Sequence, residues 1–91
     1  MSGWKAEPRG PGNAEHKFVE CEGERYELLA YTYDTGENYL ASGFEIFARD
    51  RRGRYLEQVA IGKAPTLDEA KAWAEATARL PRSQWPMPRP L

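Results

Sequence analysis

Through its centre the chain alternates apolar and polar positions with period two. Near its end it switches to helical spacing. Residues 16–21 alternate briefly, with Phe18 and Glu20 on one side and Lys17, Val19 and Cys21 on the other. Glu22, Gly23 and Glu24 read as a turn. Residues 25–33, rich in Tyr, Leu and Thr, form the strongest β segment. Its pattern leaves two choices open: Leu28 and Ala30 point into the core, or Leu29 and Tyr31 do. Residues 34–38 read as a loop and 39–49 as the next strand. Phe44, Ile46 and Ala48 share one face of that strand, with Glu45, Phe47 and Arg49 on the other.

The segment Asp50-Arg51-Arg52-Gly53 predicts a type I turn, with Gly53 as the left-handed residue of a G1 bulge. Residues 55–61 then return antiparallel. Placing Asp50 opposite Arg54 sets Ala48 opposite Leu56. Phe44, Ile46, Ala48, Leu56 and Ala60 then share the core face, with Gln58 as its polar exception. Phe47, Tyr55 and Val59 lie on the other face beside Glu45, Arg49 and Glu57.

Gly62 to Pro65 is expected to end the strand. Thr66 caps a helix, and Glu69 three residues later completes a capping box. Leu67, Ala70, Trp73, Ala74, Thr77 and Leu80 recur at helical spacing and form the expected inward stripe. Asp68, Lys71, Glu75 and Arg79 line the outer side, where Lys71–Glu75 and Glu75–Arg79 are opposite charges four apart. Pro81 ends the helix.

The resulting fold class is α+β: an antiparallel meander of three to four strands with one C-terminal helix packed on one face. Residues 1–15 read as a flexible arm, 16–80 as a single domain and 81–91 as a Pro-rich flexible tail.

Composition narrows the function classes. Thirteen basic residues, counted as Lys+Arg 13, meet Asp+Glu 14, for a net charge of -1. A general polyanion binder carries a strong basic excess instead. Cys21 is the single cysteine, so no internal disulfide forms, and the N-terminal residues lack the apolar stretch of a signal peptide. No run approaches the roughly 20 apolar residues of a membrane span. The expectation is a cytoplasmic protein with no membrane contact.

Few residues carry chemistry. His16 and Cys21 are the one nucleophile–base pair, and an odd spacing of five places them on opposite faces of a shared strand. One Cys and one His do not supply the usual zinc ligand set, and no calcium loop or phosphate loop occurs. No catalytic residue, cofactor or metal is expected. Arg49, Arg51, Arg52 and Arg54 surround the hairpin tip, where guanidinium groups can clamp phosphates, with Asp50 neutralising part of the cluster. Phe47 and Tyr55, on the face away from the core, can stack on bases or bind a protein partner.

The segment 54–80 resembles the end of a double-stranded RNA-binding domain. It runs Arg-Tyr-Leu-Glu-Gln-Val-Ala-Ile-Gly, then after a short break Thr-Leu-Asp-Glu-Ala-Lys-Ala-Trp-Ala-Glu-Ala-Thr-Ala-Arg-Leu. That family ends in a strand, a Gly-containing loop and an Ala-rich helix whose first lysines grip phosphates. Here Asp68 and Glu69 stand at those positions, followed by Ala70 and Lys71. The segment is also similar to the arm-binding domain of phage-type integrases, a three-stranded sheet with one helix. Both resemblances imply topology more than function.

The expected function is therefore a non-enzymatic interaction module that binds a protein partner or a second copy of itself. The alternative is a nucleic-acid-binding module using the arginine hairpin and sheet aromatics. The helix start yields a direct test. Thr66→Ala should lower stability by about 1 kcal/mol, the usual cost of losing a Thr cap. Urea denaturation should show this as a lower midpoint at unchanged slope.

Overall fold

The computed structural model describes residues 3–7, 13–34 and 40–86. Five strands form one antiparallel sheet in the order β1-β2-β3-β4-β5. They are β1 (Lys5–Ala6), β2 (Asn13–Cys21), β3 (Glu24–Asp34), β4 (Leu40–Arg49) and β5 (Tyr55–Ala64). One helix, α1 (Leu67–Ala78), packs across β3, β4 and β5, and a 3₁₀ turn (Arg82–Gln84) follows it. The meander and its single helix agree with the α+β reading, and the sheet has one strand more than the three to four expected. That strand, together with the start of β2, lies inside the segment read as an arm. Tyr39 and most of the 34–38 loop lie outside the described residues, as do parts of the expected arm and tail.

Turn chemistry sets two registers. Glu22 at φ 53 and Gly23 at φ 80 make the two-residue turn between β2 and β3, so Cys21 pairs with Glu24 and every later pair follows. At the β4–β5 hairpin, Gly53 donates to the Asp50 carbonyl at 2.9 Å with φ 82, and Asp50 N donates to the Arg54 carbonyl at 3.0 Å. The type I turn and its G1 bulge form as read.

Beyond that turn the expected register fails. Arg49 faces Tyr55, but Ala48 faces Glu57, Phe47 faces Gln58 and Ile46 faces Ala60. Two bulges account for this, with Leu56 and Val59 as the extra residues. Leu56, expected in the core, is pushed out to 58% exposure, whereas Val59 turns inward and is 2% exposed. Gln58 moves to the opposite face, where its Nε2 donates to Glu45 Oε1 at 2.8 Å. The slip thus removes Gln58 from the core face and sets an exposed Glu57 opposite Ala48 instead. β5 also runs through Gly62 to Ala64 rather than ending there. A Cβ on Gly62 would lie 2.5 Å from Phe44 Cε1, so the glycine lets the Phe44 ring lie across the strand.

The core resolves the choice left open for β3. Tyr26, Leu28 and Ala30 point toward α1, and join Phe44, Ile46, Val59 and Ala60 beneath it. Thr66 caps the helix as expected, its side chain accepting from Glu69 N at 3.1 Å. The buried stripe is narrower than expected: Ala70, Ala74 and Thr77 face the sheet, while Trp73 is 45% and Leu80 41% exposed. Small residues bring the helix axis close to the strands, and no indole fits between them.

The aromatic cover comes from the tail instead. Trp85 is 3% exposed and meets the Tyr26 ring edge to face at 5.0 Å. Its Nε1 donates to the Leu80 carbonyl at 3.0 Å. Arg82 lies over the Trp85 ring at 4.6 Å and donates to the Tyr26 hydroxyl at 3.1 Å. Burial of Tyr26 pushes its phenol up. Trp85, within the segment read as a flexible tail, therefore supplies part of the core.

Charges on α1 also find other partners than those expected. Lys71 binds Glu15 at 3.1 Å and Glu75 binds Lys17 at 2.9 Å, tying the helix to β2. Trp4 Nε1 donates to Glu75 Oε1 at 2.7 Å. The Lys17 hydrogen bond holds the Glu75 carboxyl below its ordinary range, and the Glu15 hydrogen bond raises the Lys71 ammonium. The intrahelical pairs read from i,i+4 spacing give way because β2 offers both charges on the side of the helix they line.

Trp85→Ala should cost about 3–5 kcal/mol, the usual penalty for emptying a buried aromatic site. Trp73→Ala should cost under ~1 kcal/mol, since its ring is near half exposed. Urea unfolding of the two variants should separate them clearly.

Candidate functional site

Residues paired across adjacent strands project from the same face. Below the face that α1 covers, the opposite face is therefore laid out in rows. Nearest the β4–β5 turn stand Glu20, Arg25, Arg49 and Tyr55. Next come Phe18, Glu27, Phe47 and Gln58. The third row is Lys5, His16, Leu29, Glu45 and Ile61.

The centre of this face is ionic. Glu27 is 4% exposed between Phe18 and Phe47. Its Oε2 lies 2.8 Å from His16 Nδ1, and its Oε1 accepts a short hydrogen bond from Arg49 Nη2. Glu7, just past β1, is 8% exposed, with Oε2 at 3.4 Å from the same His16 nitrogen. Arg49 Nη1 also donates to the Gly53 carbonyl at 3.4 Å, while its Nε is buried without a hydrogen-bond partner among the described residues. Burying carboxylates is costly unless counter-charges and donors are placed on them, and here β2 and β4 deliver both.

Aromatic side chains border the ionic centre. The His16 ring meets Phe18 at 5.5 Å, and Arg25 lies over Phe18 at 4.5 Å. Phe47 and Tyr55 meet edge to face at 5.6 Å, with Arg49 at 5.8 Å from the Tyr55 ring centre. Phe18 is 42%, Tyr55 54% and Ile61 38% exposed. Burial pushes the Glu45 carboxyl up, with the Gln58 hydrogen bond opposing.

Two of the four arginines at the hairpin have ionic partners within the protein. Arg49 is committed to Glu27, and Arg54 Nε binds Asp50 Oδ2 at 3.0 Å. The Asp50 carboxylate also accepts from the backbone of Arg54 and Arg52, each at 2.9 Å. The backbone bond from Arg54 is the first cause that holds the Asp50 carboxyl low. Arg51 and Arg52 are exposed, with no ion pair among the described residues. Phe47 and Tyr55 do come together, as their shared face implied.

His16 and Cys21 both lie in β2 and project to opposite faces, Cys21 toward the Leu80 carbonyl at 4.0 Å. Counting Cys and His alone missed a different set of donors: Glu7, His16 and Glu27, whose ligand-type atoms lie within 4.8 Å of one another. The signal was the turn at Glu22 and Gly23. It pairs Phe18 with Glu27 and so sets Glu27 diagonal to His16.

Among the described residues no helix is long and apolar enough to cross a membrane. No protein-family model, curated protein or solved structure matches the chain.

Arg49→Ala should destabilise the protein by about 3–5 kcal/mol, because it leaves Glu27 buried without its counter-charge. Arg51→Ala and Arg52→Ala should stay within about 0.5 kcal/mol of the parent, as exposed turn residues do. Chemical denaturation of the three variants measures both outcomes.

Proposed function

We propose that this protein is a non-enzymatic interaction module that associates with another protein chain, in its simplest form a second copy, through the sheet face opposite α1. The observation that carries this reading is the exposure of Phe18, Tyr55 and Ile61 on that face, at 42%, 54% and 38%. These side chains surround an ionic centre whose members are fixed by one another. Rigid aromatic groups around an ordered polar core lose little freedom on binding and bury much area, which is the character of interface anchors. The small size of the domain adds to this, since chains of this length bury a modest fraction of their surface alone.

A second reading, nucleic-acid binding, draws on Arg51 and Arg52 at the hairpin tip. Two arginines neutralise about two phosphates, so the salt dependence of log K would have a slope no steeper than about −2. The start of α1 adds no phosphate grip: Asp68 is solvated and Lys71 is held by Glu15. The resemblance to double-stranded RNA-binding domains thus favours a shared topology over a shared ligand.

Sedimentation velocity over a concentration series should show reversible self-association. The Phe18→Ser/Tyr55→Ser pair should abolish it with only a modest drop in the thermal melt, since the two side chains are 42% and 54% exposed. A wild-type protein that stays monomeric at millimolar concentration would refute self-association. Tight binding to RNA or DNA with a shallow salt slope of about −2, lost in Arg51→Gln/Arg52→Gln, would favour the second reading.

A further inference from the structure

We infer that Glu7, His16 and Glu27 form a binding site for a divalent metal ion of the zinc class. The three donors come from three neighbouring segments whose spacing the sheet fixes. Glu7 N donates to the Ala14 carbonyl at 2.9 Å, which holds Glu7 one row beyond His16. The pairing of Phe18 with Glu27 holds Glu27 one row on the other side. His16 Nδ1 thus faces a carboxylate from each direction, at 3.4 Å from Glu7 Oε2 and 2.8 Å from Glu27 Oε2.

These separations suit a tetrahedral ion. Ligand bonds of about 2.0–2.2 Å place neighbouring ligand atoms roughly 3.4 Å apart. The Glu7–His16 separation already has that value, and the His16–Glu27 hydrogen bond needs to open by only about 0.6 Å. Arg49 holds the other oxygen of Glu27, which leaves Oε2 directed at His16 and fixes the carboxylate plane. Hydrogen bonds of this kind from outside the ligand set orient metal ligands and raise affinity. One imidazole with two carboxylates favours zinc and its transition-metal neighbours over magnesium and calcium, which take oxygen ligands throughout. The His16 side chain is 20% exposed, so solvent reaches the imidazole.

The count His 1 makes the site directly observable, because one imidazole gives one set of ring nitrogen signals. The full chain, stripped of metal by chelation, should be titrated with zinc chloride at neutral pH. One equivalent should bind by calorimetry, raise Tm and move the His16 Nδ1 resonance to the position of a metallated nitrogen. Glu7→Gln should weaken zinc binding at least ~10-fold. Cys21→Ser should bind as the parent does, since the thiol lies on the other face. Cobalt chloride should give the visible bands of tetrahedral Co²⁺. If millimolar zinc gives no heat and leaves the His16 nitrogen signals unchanged, the cluster is an ion network only and the proposal fails. Binding that survives Glu7→Gln, or that disappears in Cys21→Ser, would overturn it equally.

Discussion

Helix α1 reaches the sheet through Ala70, Ala74 and Thr77, and the closeness of that contact shapes the rest of the molecule. Small side chains let the backbone of the helix approach the strands, so Leu28, Phe44, Ile46 and Ala60 fill the space beneath it. Twelve residues of helix cannot cover five strands. The uncovered end of the core, around Tyr26, is closed by Trp85 from beyond the helix. The uncovered edge at β2 is joined to the helix by two ion pairs. Both devices extend a helix too short and too narrow to seal the face alone.

Among the described residues no helix packs on the other face, and its solution is electrostatic rather than apolar. Glu27 stands in the middle of the sheet, where a carboxylate is tolerated only if strongly partnered. His16 and Arg49 supply the partners from the strands on either side. Because each member needs the others, the cluster fixes the side chains around it, and Phe18, Phe47 and Tyr55 are held at its margin. The same arrangement serves two roles under the readings proposed above. It is a rigid centre for an interface, and a set of donors spaced for an ion.

The hairpin between β4 and β5 illustrates how polarity and register are coupled. A regular ladder would have put Gln58 in the core and Val59 outside. Two bulges reverse this at the expense of Leu56, which ends in solvent. One exposed leucine is a smaller penalty than a buried amide without partners, and Gln58 gains Glu45 as an acceptor.

Local chemistry was legible in the sequence, because it depends on neighbours a few residues away. The Thr66 cap, the glycine turn at residue 53, the strand alternation and the order of strands followed by helix all belong to this class. So did the shared face of Phe47 and Tyr55 and the separation of His16 from Cys21, since parity along a strand needs no partner. Only the tertiary structure decided what depends on distant segments. It chose Ala70, Ala74 and Thr77 over Trp73, because the gap between helix and sheet is set by both. It recruited Trp85 from a proline-rich tail whose local pattern shows no core. It placed bulges at Leu56 and Val59, because their positions are set by the balance of burial across two strands. It also brought Glu7 beside His16 and Glu27. No spacing in the chain marks that meeting, because it arises when β1 folds back on β2.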